Sequence, residues 1–144
     1  MDGKDFMNYE GWEKTVPQEI TQEAVWGFYG YRKALFLFDL CWQDCEKLLR
    51  DYRGRTVAEQ LIDSVGSVSA NIEEGYGRGL VTKEYGQFLR YAVASAKEAK
   101  GWYFRGRHLL SPQVVEHRLK LLSEISALIL TELARQRRRS KVSS

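Results

Sequence analysis

Proline is almost missing from this sequence, with only Pro17 and Pro112 present, and cysteine and histidine each occur twice. No apolar run approaches the ~20 residues that span a bilayer. Each scarcity excludes something. So little proline, beside abundant Ala, Leu, Glu, Lys and Arg, favours helices over strands. Cys41 and Cys45 stand four residues apart on a predicted helix, poor geometry for a disulfide with each other, and read as small core hydrophobes. A metal site would need His108 and His117 as further ligands. They straddle a predicted helix boundary and lack finger-like spacing to the cysteines, so no metal and no cofactor is expected. The opening MDGKDFMNYE is acidic and polar, unlike a signal peptide. A cytoplasmic protein with no membrane association is expected.

A chain of 144 residues has the length of one domain with one core. Its net charge of +3 is ordinary, but the distribution is not. Acids dominate the first 23 residues, from Asp2 to Glu23, whereas the last ten carry four arginines and a lysine with no acid. An acidic head and a basic tail fit partner binding at the tail, and equally fit solubility and end disorder.

Hydrophobic periodicity predicts four helices. Helix one runs from about Tyr29 to Tyr52, with Ala34, Leu37, Cys41, Leu48 and Tyr52 in one row. Leu35, Phe38, Trp42, Cys45 and Leu49 form a second row beside it. A helix so widely apolar must be covered on more than one side, by a partner subunit or by the N-terminal segment. Helix two runs from about Thr56 to Gly75 with the stripe Leu61, Val65, Val68 and Ile72. Helix three runs from Lys83 to Leu110 with Thr82 as N-cap and Tyr85, Phe88, Leu89, Ala92, Ala96, Ala99, Tyr103 and Leu110 on one side. Helix four opens with Ser111 as N-cap and Pro112 at its first position. Its core residues are Val115, Leu119, Leu122, Ile125, Ile129 and Leu133, and beyond Ala134 the chain is expected to fray. The expected fold is an all-α antiparallel up-down-up-down four-helix bundle assembling into a homo-oligomer. Its parts are an acidic extension over 1–25, the bundle over 26–134 and a disordered basic tail over 135–144.

The stretch QLIDSVGSVSANIEEGYGRG followed by EYGQFLRYAVASAKEA resembles the four-helix bundle proteins encoded in intervening sequences of bacterial 23S ribosomal RNA. Asn71, Ile72, Glu74, Gly75, Gly77, Arg78, Phe88, Leu89, Ser95, Lys97 and Glu98 fall on that family's pattern, while Glu73 stands where alanine is usual. The resemblance extends to the accessory protein of diversity-generating retroelements, which resembles a pentameric barrel of bundles. It implies a homo-oligomer, with a pentamer favoured, and association with nucleic acid or with a reverse transcriptase.

The segment NIEEGYGRG invites chemical readings that fail on spacing. Gly75 and Gly77 are not followed by a third fingerprint glycine, because position 80 is Leu80, and a helix precedes them where a strand is required. The glycines read as a helix C-cap, supplied by Gly75 or Gly77. Glu73 and Glu74 are adjacent, so on a helix they point about 100° apart, and no Glu-x-x-His motif accompanies them. No enzyme is expected. Ser67, Asn71, Glu74 and Arg78 recur at helical spacing beside the core stripe, with Ser95 and Glu98 of helix three as possible partners. They form either a hydrogen-bonded structural seam or a solvated flank. Lys83, Arg90, Lys97 and Arg105 line the other face of helix three, with Lys100 and Arg107 to one side. The tail adds Arg135, Arg137, Arg138, Arg139 and Lys141. These cations are either a surface for RNA or DNA phosphates or a solvated face. Tyr76 and Tyr91 can stack on bases or belong to the core. The function expected is a nucleic-acid-binding accessory protein, or alternatively a scaffold or subunit for a partner such as a reverse transcriptase.

Overall fold

The computed structural model describes residues 7–143, which form helices joined by short turns, with no strand among them. Two short helices, α1 (Tyr9–Glu13) and α2 (Gln18–Thr21), and a 3-10 turn at Ala24–Gly27 precede four long ones. These are α3 (Tyr29–Leu48), α4 (Gly54–Arg78), α5 (Lys83–Arg105) and α6 (Pro112–Ser143).

Local chemistry sets the boundaries. Thr82 accepts from the Tyr85 amide and starts α5, and Ser111 accepts from the Val114 amide ahead of Pro112. α4 runs past both glycines expected to end it. It stops at Gly79, the one described residue with positive φ, at 99°. Gly75 is instead a point of close approach: a Cβ there would lie 2.8 Å from the Tyr85 ring and 3.1 Å from Phe88 Cβ.

Each long helix packs on the next in sequence, and α3 also packs on α6. Early residues of one helix meet late residues of its neighbour: Tyr31 reaches Glu73, and Tyr85 reaches Glu132. The expected stripe of α4 is fully buried, as are Tyr85, Leu89, Ala92, Ala96, Ala99 and Tyr103 of α5 and Leu122, Ile125 and Ile129 of α6.

The N-terminal segment covers the first half of α3. Tyr9 and Trp12 pack on Phe36 at 5.6 and 5.5 Å between ring centroids, Trp26 stacks on Trp12 at 6.3 Å, and the Trp12 indole donates to Asp39. Of the two covers open to this helix, the chain supplies one itself. Residues 1–6 of the acidic extension lie outside the described residues. The second half of α3 keeps Trp42 61% exposed, and Leu49, just past its end, is 52% exposed.

The tail corrects an expectation. α6 does not fray after Ala134 but continues to Ser143. Gln136 is buried and donates to the Thr82 carbonyl at 2.8 Å, and Arg139 pairs with buried Glu132 at 2.9 Å. Polar anchors hold this last stretch of helix where apolar periodicity has run out.

Candidate nucleic-acid interface

The cations of α5 stand where the helical spacing puts them. Tyr85, Leu89, Ala92, Ala96 and Ala99 commit one face to the core, so Lys83, Arg90 and Lys97, each seven residues from the next, emerge exposed on the other. Lys100 is half-buried. None of these four forms an ion pair among the described residues. Arg105 and Arg107 are fixed by rings: Arg105 lies 4.6 Å over Trp102, and Arg107 lies 4.0 Å over Phe104 while donating to the Phe104 carbonyl. Tyr91 is exposed beside Arg90 and meets Phe88 edge-on, whereas Tyr76 is half-buried against Tyr85.

In the last turns of α6, Arg135, Arg137, Arg138 and Lys141 are exposed. Arg139 differs from them. Its guanidinium is spent on Glu132, with a long contact to the Leu80 carbonyl, so its first role is to clamp α6 to the α4–α5 turn.

The polar row of α4 makes no bonds to Ser95 or Glu98 within the chain. Asn71 donates to the Ser67 carbonyl of its own helix, and Arg78 pairs with exposed Glu74 one turn away at 3.4 Å. Arg78 also lies over the Phe88 ring at 5.5 Å, and Glu98 accepts from the Trp102 indole. The expected hydrogen-bonded seam between these helices is therefore absent among the described residues. Polar side chains on the outer edge of closely packed helices reach their own backbone or solvent sooner than one another.

The buried polar groups lie elsewhere, and sequence reasoning missed them. Asp44 accepts from Arg118 Nε and Nη2 at 2.8 and 2.9 Å and from the Tyr103 hydroxyl at 2.7 Å, with all three side chains buried. The bidentate geometry and the third donor give both oxygens of this carboxylate a partner. Glu132 is likewise held between Tyr85 and Arg139. Burial first, then the bond to Glu132, pushes the Tyr85 phenol far above its usual range. Glu73, the departure from the usual alanine, accepts from Tyr31 at 2.6 Å and so ties α4 to α3. Cys41 and Cys45 are free and buried beside Asp44, and the contact with Cys45, then burial, holds the Cys41 thiol well above the usual thiol range. The signal for the central pair was present: Asp44 and Arg118 both occupy core registers of their helices, with opposite charge.

Residues 29–131 match the family described as 23S rRNA-intervening sequence protein. The chain belongs to that family. No curated protein and no solved structure matches it. The family segment begins at Tyr29, the first residue of α3, and holds the core stripes apart from Leu133, together with Asp44, Tyr103 and Arg118. The N-terminal helices and the anchors Glu132, Gln136 and Arg139 lie outside it. No helix among the described residues is long and apolar enough to cross a membrane.

Proposed function

We propose that this member of the 23S rRNA-intervening sequence protein family is a non-enzymatic, cytoplasmic, antiparallel four-helix bundle. It assembles into a homo-oligomer, with a pentamer favoured, and binds the backbone of RNA or DNA. The carrying observation is the row Lys83, Arg90 and Lys97, exposed and without acidic partners among the described residues, together with the exposed Arg135, Arg137 and Arg138 of α6. Unpaired surface cations attract phosphates, and with no base-reading motif the binding is driven by charge and falls steeply with salt. Exposed Trp42 supports assembly, which would repeat the basic face around the oligomer.

A second reading, a subunit serving a partner enzyme such as a reverse transcriptase, draws on the same exposed ring of Trp42. Titration of labelled RNA and DNA between about 50 and 200 mM salt separates the two. Binding that weakens steeply with salt and is lost on Lys83→Glu, Arg90→Glu and Lys97→Glu supports the first. Negligible binding at low salt, or binding indifferent to those reversals and to Arg137→Glu with Arg138→Glu, overturns it.

A further inference from the structure

The α3–α4 and α5–α6 turns meet at one end of the molecule. Gly54, at the start of α4, sits so tightly against both that a Cβ on it would lie 2.1 Å from the Leu48 carbonyl oxygen and 2.7 Å from Leu109 Cδ1. Arg53 and Gly54 of one turn and Arg105, Gly106 and His108 of the other line a single cleft of about 270 Å³. The fold thus joins two basic turns that are far apart in sequence. Residues 50–55 and 105–109 contain Arg50, Arg53, Arg55, Arg105 and Arg107, all exposed, and Asp51 as the single acid. Asp51 takes Arg53 Nε and Nη2 at 3.0 and 2.7 Å and its amide at 2.9 Å, so this acid fixes one arginine in place, and the other four have no acidic partner among the described residues.

The same end exposes aromatic surface. Tyr52 in the first turn is 81% exposed, and Phe104 beside the second is 55% exposed although Arg107 lies over it. Clustered cations alone fit any polyanion. Cations interleaved with exposed rings fit a polyanion that also presents flat apolar faces, and that is a nucleic acid whose bases are not stacked within a duplex.

We propose that this end binds single-stranded nucleic acid, its phosphates on Arg50, Arg55, Arg105 and Arg107 and its bases against Tyr52 and Phe104. The inference rests on the nucleic-acid reading above and moves the principal contact from the face of α5 to the paired turns. A single strand is preferred over a duplex because only unpaired bases reach the two rings.

The test is fluorescence anisotropy on the full chain, with labelled oligouridylate and duplex RNA of equal length. Arg55→Glu with Arg107→Glu is expected to weaken oligouridylate binding by at least about tenfold. Tyr52→Ala with Phe104→Ala is expected to weaken it by about tenfold while leaving duplex binding unchanged. All four side chains are exposed, and circular dichroism checks that each variant folds. Should the charge pair perturb folding, Arg50→Gln with Arg107→Gln replaces it. If only the α5 reversals abolish binding and the turn variants bind as wild type, this inference falls and the broader reading stands. If wild type binds no nucleic acid, both fall. Equal affinity for duplex and single strand, or equal competition by poly-glutamate, also overturns the inference, because neither ligand offers bases to the rings.

Discussion

Arg118 is 1% exposed, and its charge is tolerated because Asp44 meets it with two bonds and Tyr103 adds a third to the same carboxylate. A buried pair of this kind gains little over apolar residues of similar shape, but breaking it strands a charge, which costs about 3–5 kcal/mol. Asp44→Ala or Arg118→Ala alone is therefore expected to lower unfolding free energy by about that amount in urea titrations. Asp44→Leu combined with Arg118→Met should recover most of it. Two mild single variants would contradict the account. His117 adds a pH response. Its Nδ1 lies 2.7 Å from Arg118 Nη1, and burial, then Arg118, holds its pKa below the ordinary value. The unfolded chain therefore takes up this proton more readily than the folded one, so stability declines as pH falls below about 6.5. His117→Gln keeps an acceptor for Arg118 and should flatten that decline in thermal melts across the same range. A slope unchanged in the variant would place its origin in other groups.

α6 was the element read least well from periodicity. RQRRRSKVSS carries no apolar repeat, yet Glu132, Gln136 and Arg139, spaced four and three apart, dock one polar face onto Tyr85, Thr82 and the α4–α5 turn. A hydrophobic pattern detects faces that leave water because they are oily, not faces held by hydrogen bonds. Deleting residues 135–144 removes the Gln136 and Arg139 anchors and should lower stability by about 1–3 kcal/mol, whereas loss of a loose tail would change nothing measurable. Charge reversal at exposed Arg137 and Arg138 should instead be neutral within about 0.5 kcal/mol. Those reversals, not truncation, are the clean way to ask whether the tail touches nucleic acid. In α4 the misreading was smaller. Gly75 and Gly77, expected to cap the helix, lie inside it: Gly75 is a close approach to Tyr85, and the positive-φ residue that ends the helix is Gly79.

At the scale of the whole molecule, the two halves of α3 differ in how they are covered. The N-terminal helices bury Phe36, while Trp42 stays 61% exposed with half-buried Phe38 beside it, their rings 6.4 Å apart. If this surface joins copies of the chain, light scattering should give a multiple of the 16.7 kDa protomer mass, and Trp42→Glu should reduce it toward one. A wild-type monomer would remove the oligomer and with it the repeated basic face. The sequence by itself determined the helical class, most of the core stripes of α4, α5 and α6, and the family, because apolar residues at helical spacing and a local motif are properties of neighbouring positions; of the apolar rows expected for the first long helix, Trp42, Leu49 and Tyr52 stand exposed. Only tertiary structure decided that Asp44 meets Arg118, that the N-terminal segment lies on α3, that the tail is a clamp, and that two arginine-rich turns share one cleft. Each of these joins residues distant along the chain, and a local pattern carries no information about which distant charge or ring the packed helices bring within reach.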